Sequence, residues 1–297
     1  MLRRVLACLA LGAALTTTTP NVRADDTAGV GPLRWDPAWS HAGPADYSLT
    51  GLGVTDTVVY EIFFQSKQPA LYWNSPILFD NAVRDALRGS TPGIRSGAET
   101  ASWGLLGLVI AYPFFDAVYA WKRYGRTVAW DLFWQDATVL SLATAVDLNY
   151  RDLIGRARPP VSACLSSGGS VDQCVGTSAE STRSFPGGHM LMVTSAAALT
   201  CTQHLYMHLY GAPWDAIACA TAVTGAAAVG TLRIVADDHW ASDILVGGVL
   251  GTAFGWGIPV LMHLNGHSAS SGGLAAHLAP IAIPVNRGGG AGVAGWF

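Results

Sequence analysis

From Ser102 onward the chain is a succession of long apolar runs, at roughly 102–121, 128–149, 189–210, 215–233 and 241–263. Each is long enough to cross a bilayer as a helix, which takes about 20 residues. The first is interrupted only by Pro113 and Asp116, whereas the second carries Asp131, Gln135, Asp136 and Asp147. Acids at such positions face a bundle interior or a wet cavity. Before Ser102 the pattern is mixed and turn-rich, with one helix expected from Phe79 to Leu87 and punctuation at Thr91-Pro92-Gly93. At the far end, Ala279 to Val285, an Asn-Arg-Gly-Gly turn and Gly289 to Phe297 suggest a β-hairpin, with a disordered tail as the alternative. The pattern predicts an all-α chain: a bundle of about five to six core helices, membrane-spanning, with a C-terminal β-hairpin. A soluble exported helical domain is the alternative.

The N-terminus reads as an export signal over residues 1–24, with Arg3 and Arg4 ahead of an apolar Val5–Leu15 and a small-residue cleavage site at Val22-Arg23-Ala24. An uncleaved anchor is the rival reading. Residues 25–100 are then an exported lead-in that packs over the helical core and carries no chemistry, 101–265 the helical domain, and 266–297 a Gly/Ser-rich tail. Composition agrees with a membrane: 51% of residues are hydrophobic and only 12% charged, against about 25% in a soluble domain. The net charge of −3 without a polybasic tract excludes nucleic acid as a partner. Lys122, Arg123 and Arg126 cluster between the first two apolar runs, as a cytoplasmic turn would. Counting spans from there puts residues 151–189 and 233–243 together on the outer, periplasmic side. Export also places the cysteines where disulfides persist. Cys164 and Cys174 flank a short Gly/Ser-rich loop and are a candidate pair, whereas Cys201 and Cys219 lie in apolar helices and read as buried thiols. No Cys/His spacing resembles a zinc site, so neither metal nor cofactor is expected.

Three short runs carry the chemistry: Arg151-x6-Arg158-Pro159, Phe185-Pro186-Gly187-Gly188-His189 and Arg233-x5-His239-x3-Asp243. A phosphoryl transition state is a spread negative charge, stabilised by positioned cations. Arg151 and Arg158 are seven residues apart, so one helix would stack them on one face around an anion. Gly187 and Gly188 free backbone amides at a helix N-terminus for an oxyanion, beside His189 as proton donor. His239 and Asp243 stand at i,i+4, so the carboxylate can take one ring nitrogen and leave the other free for attack. Asp237 and Asp238 are competitors for that imidazole. Gly247, Gly251 and Gly255 form a small-xxx-small ladder that close helix packing explains.

This pattern resembles the type-2 phosphatidic acid phosphatase superfamily, whose motifs read K-x6-R-P, P-S-G-H and S-R-x5-H-x3-D and which also includes exported class A acid phosphatases and vanadium haloperoxidases. The resemblance covers about residues 100–265. It implies a helical bundle, a phosphohistidine on His239 with Asp243 as its orienter, His189 as general acid, and Arg158 and Arg233 on the phosphate oxygens. Three positions depart from it: Arg151 replaces Lys, Gly187 replaces a Ser hydroxyl donor, and Leu232 replaces the Ser before Arg233. Losing such a donor costs about 3 kcal/mol at an oxyanion site. The expected substrate is a lipid phosphate or diphosphate at the outer membrane–water boundary. A soluble broad-specificity acid phosphatase acting on small phosphate esters, a vanadate haloperoxidase and a catalytically degenerate phosphate-binding or structural membrane protein are the alternatives.

Overall fold

The computed structural model describes residue 33, residues 36–265 and, for the backbone alone, 278–285 and 288–295. The expected signal segment, residues 1–24, lies outside the described residues. Among the described residues, the unit Leu33–Phe297 is all-helical apart from one hairpin. Its elements are α1 (Pro44–Phe63), α2 (Asp80–Leu87), α3 (Pro92–Tyr124), α4 (Arg126–Ile154), α5 (Pro159–Ser166), α6 (Val171–Val175), α7 (Gly188–Met207), α8 (Trp214–Val235) and α9 (Ala241–Pro259). A π-helical turn, Val260–Leu264, extends α9. Strands β1 (Leu278–Val285) and β2 (Gly288–Gly295) pair antiparallel, as the alternating tail predicts.

Local chemistry sets the breaks. Thr91 caps α3 by accepting from the Ile94 N–H at 3.2 Å, and Pro92 occupies the first helical position. The helix therefore begins ten residues before the apolar run that marked it. Lys122 and Arg123 close its last turn, and Gly125, at φ +103°, separates it from α4.

Helices α3, α8 and the α9 extension to Leu264 are long and apolar enough to cross a membrane. Their outward faces present exposed Leu108, Phe115, Val223, Leu245, Val249 and Trp256, a surface that belongs in lipid rather than water. The runs 128–149 and 189–210 fold into α4 and α7 but are not among these three, because acids, amides and hydroxyls dilute them. Their polar groups turn inward as expected: Asp131 accepts from the Ala42 N–H at 2.8 Å and Asp136 from the Gln203 amide at 2.7 Å.

Two features correct the sequence reading. Residues 44–63 form a full helix, α1, packed on α4, where a turn-rich lead-in was expected. Polar Asp46, Asp56 and Glu61 blur its apolar face; Asp46 is buried and satisfied by the His263 ring at 2.9 Å. Cys201 and Cys219, read as thiols, are disulfide-bonded and tie α7 to α8. Each lies on an apolar helix, and only the antiparallel packing of the two brings their Cα atoms to 4.5 Å. The expected Cys164–Cys174 disulfide is present and closes the loop after α5.

The glycine ladder is where α9 meets α7 backbone to backbone. A Cβ on Gly247 would stand 2.5 Å from the Gly187 carbonyl, and one on Gly251 would fall on the Leu191 carbonyl and the Thr194 hydroxyl. Gly251→Ala should therefore destabilise by about 1–3 kcal/mol through overpacking, seen as a lower melting temperature in detergent. An unchanged melting temperature would mean that the helices do not run this close.

Candidate active site

The three motifs converge on one cavity of about 440 Å³, lined among others by Arg151, Arg158, Gly188, His189, Arg233 and His239. Trp103, Leu106, Leu148 and Met192 form its apolar wall. Arg151 lies in the last turn of α4. Gly155, left-handed at φ +55°, then ends that helix, and a side chain there would collide with the Ala70 carbonyl. Arg158 is the N-cap of α5, with Pro159 at its first position. The two arginines thus do not share a helix face, contrary to the expectation from their spacing. They meet because the chain turns between them.

His239 is buried, and its Nδ1 donates to the Ser184 carbonyl at 2.8 Å. A carbonyl only accepts, so Nδ1 carries the proton of the neutral ring and Nε2 keeps its lone pair. Asp243 does not orient His239 directly: its Oδ2 is 3.8 Å from Nδ1, beyond hydrogen-bond reach. That carboxylate is fully engaged elsewhere. It accepts from the Trp240 N–H at 2.9 Å, from the Ser184 hydroxyl at 2.6 Å and from Arg156. Asp243 therefore acts one residue removed, by fixing Ser184, whose carbonyl holds the ring. The competitors Asp237 and Asp238 are also occupied. Asp237 takes Arg84 at 2.6 Å and Arg88 at 2.5 Å, while Asp238 takes Arg233 at 3.0 Å and Arg158 at 3.2 Å.

His189 opens α7 with its ring centroid 6.5 Å from that of His239 and edge-on to Trp103 at 4.2 Å. Its Nε2 is buried without a hydrogen-bond partner, as are the Nε atoms of Arg151, Arg158 and Arg233. Burial, followed by the charges of Arg233 and His239, pushes the His189 imidazole down to about 2. His239 is likewise held well below its usual value by burial, then by Arg233 and Arg158.

Of the glycines, Gly187 departs from its expected role. Its N–H is spent on the Asp243 carbonyl at 3.1 Å, so it has no amide to offer an oxyanion. A Cβ there would sit 3.1 Å from the same carbonyl and 3.3 Å from Ile244 Cδ1. Gly187 is a packing glycine at the α7–α9 crossing, where a side chain would need its neighbours to give by a few tenths of an ångström. Gly188 does line the cavity, with the Asp147 carboxylate against its Cα: a Cβ would be 2.6 Å from Asp147 Oδ1.

Several residues near the site are not among the signature residues of the three motifs. Arg156, fully buried, bridges Asp243 to Asp80, which it meets at 2.7 Å, and lies 3.8 Å over the Trp73 ring. Asp80 in turn accepts from the Ser242 N–H at 2.8 Å and its hydroxyl at 2.9 Å. The segment before residue 100 is thus not a passive cover: Asp80, Arg84 and Arg88 buttress the third motif. Asp80 and Arg84 at i,i+4 on α2 were the available signal. Glu180, on the 3₁₀ turn Ala179–Thr182, faces the cavity and pairs with Arg158 at 2.7 Å.

Residues 134–271 match the model of the PAP2 superfamily, a stretch that holds all three motifs. The resemblance carried by the motifs is thereby borne out. No curated protein matches the chain. Among solved structures it is similar to the first transmembrane PAP2 type phosphatidylglycerolphosphate phosphatase from Bacillus subtilis, at 17% identity, over 72% of this chain and 93% of that one, with a TM-score of 0.45.

Proposed function

We propose that the protein is a membrane phosphatase that hydrolyses a lipid phosphomonoester or diphosphate through a phosphohistidine on His239. One observation carries this reading. Around a single cavity, three arginines and His189 each hold a buried N–H or ring nitrogen without a partner, a set that a phosphoryl group with several oxygens would satisfy. In this reaction His239 Nε2 attacks phosphorus while the bond to the leaving oxygen breaks, and His189 gives that oxygen its proton. A water then attacks phosphorus, passing a proton to His189, and the P–N bond breaks to release inorganic phosphate. Arg151, Arg158 and Arg233 hold the non-bridging oxygens, and the Gly188 end of α7 faces them. The wall of Trp103, Leu106 and Met192, continuous with apolar α3, favours a substrate with a hydrocarbon chain over a small soluble ester. The two disulfides fit an oxidising compartment, and hence a site on the outer face of the membrane.

The test is phosphate release by detergent-purified protein across a panel of lipid and soluble esters, with His239→Ala as control. Folded protein that releases phosphate from none of them would leave a degenerate binding protein. Preference for soluble esters would favour the acid-phosphatase reading.

The site also sets a proton balance. His189, depressed to about 2, is neutral before substrate arrives. Burial is the first cause of that depression and persists when phosphate binds, but a bound dianion offsets the part due to Arg233 and His239 and so raises the imidazole pKa. Inorganic phosphate, mainly dianionic at mildly alkaline pH, should therefore take up a fraction of a proton as it binds. Titration calorimetry in buffers of different ionisation enthalpy measures that uptake, and His189→Gln should remove it. A binding heat independent of buffer would rule out His189 as the acid.

A further inference from the structure

We propose that Glu180 is the resident counter-anion of this site, a carboxylate that an incoming phosphoryl group must displace from Arg151 and Arg158. It thereby sets how weakly the site retains inorganic phosphate. The proposal rests on the phosphatase reading above and deepens it.

The geometry separates Glu180 from the other carboxylates that touch the arginines. Its Oε2 lies 2.7 Å from Arg158 and its Oε1 3.8 Å from Arg151. It also lines the cavity, together with Arg151, Arg158 and Arg233. Asp238 braces Arg158 and Arg233 at 3.2 and 3.0 Å but is not among the cavity-lining residues. Asp238 can stay when phosphate arrives; Glu180 stands in its path.

Glu180 is also built to leave. It sits on a short 3₁₀ turn between the disulfide loop and His189, and its side chain is 40% exposed. Its third partner, Arg183 at 3.3 Å, does not depend on it. Arg183 is anchored independently by Asp152 at 2.6 Å and by the Gln65, Lys67 and Phe64 carbonyls at 2.9, 3.1 and 3.2 Å. Withdrawal therefore breaks few fixed contacts and hands Arg158 from one anion to another. Burial alone would raise the Glu180 carboxyl, but Arg158, Arg151 and Arg183 hold it below its ordinary value, so it remains an anion.

A site occupied by its own carboxylate binds ligand with an apparent affinity reduced by the fraction of time its arginines are free. Glu180→Gln, which keeps the shape and removes the charge, should tighten inorganic phosphate by about tenfold or more. This would be read both as the product-inhibition constant and by direct calorimetric binding. Unchanged or weaker phosphate binding by Glu180→Gln, with the unmutated protein still releasing phosphate, overturns the proposal and leaves the phosphatase reading intact. If the unmutated protein neither binds nor releases phosphate, both fall. A second measurement needs no variant: saturating the unmutated protein with inorganic phosphate should speed amide hydrogen exchange over residues 179–182. Slower or unchanged exchange there contradicts displacement.

Discussion

Replacing His239 by alanine should lower phosphate release by at least about 10⁴-fold and abolish any acid-labile, base-stable phosphoprotein. The effect is expected to be this large because, among the described residues that line the cavity, the one other histidine is His189, the proposed acid. His239 is the one motif imidazole whose tautomer is set by the surrounding backbone, through the Ser184 carbonyl at 2.8 Å, leaving Nε2 as a lone pair. Its depressed pKa, caused by burial and by Arg233 and Arg158, keeps that lone pair unprotonated well into the acid range. His189 lacks such a partner on its buried Nε2, as an acid awaiting a leaving oxygen would. The arginines survive the substitution, so inorganic phosphate should still bind to His239→Ala within about tenfold of the unmutated protein. That split between lost chemistry and kept binding separates a nucleophile from a structural histidine. Radiolabel trapped on any other residue would refute the assignment.

How much of this was legible in the sequence differs from residue to residue. The apolar runs after Ser102 place α3, α4, α7, α8 and α9, because long stretches with few charges have few other solutions. The spacing of the third motif brings His239 and Asp243 to the head of α9, and the glycine ladder foretells the α7–α9 contact. What failed depends on partners distant in sequence. Asp243 at i,i+4 from His239 looks like its orienter, yet Ser184, Trp240 and Arg156 claim the carboxylate first. Gly187 looks like a lost hydroxyl until the α9 backbone is seen packed against it. Arg156 looks like one of several basic residues at a membrane edge, because its ring partner Trp73 and its carboxylate Asp80 both lie in a segment that showed no pattern. Local periodicity reports what faces a core; it carries no record of which polar groups meet across it.

Arg156→Met should be the most destabilising single change in the helical unit, costing about 3–5 kcal/mol. Arg156 has no exposed side-chain surface, and it spans two buried carboxylates, Asp80 and Asp243, with a further bond to the Ser242 hydroxyl at 2.8 Å. Methionine fills similar volume but leaves both acids uncompensated, and an unpaired buried charge is what makes breaking such a pair expensive. Against a total stability of about 5–15 kcal/mol, the loss would appear as a large drop in melting temperature in detergent. Lysine should not rescue it, since a single ammonium cannot reach both carboxylates as a planar fork does. Asp80→Asn added to Arg156→Met should recover part of the loss by removing one orphaned charge, giving a favourable coupling in a double-mutant cycle. The remaining defect should be functional. With Arg156 gone, Asp243 keeps its bonds from Ser184 and Trp240 but loses the cation that balances its charge. A less screened carboxylate 3.8 Å from His239 Nδ1 would raise the imidazole pKa and move the acid limb of the pH–rate profile upward. A double mutant that is no more stable than Arg156→Met, or an acid limb that stays in place, would mean that Arg156 packs the site without holding its charges apart.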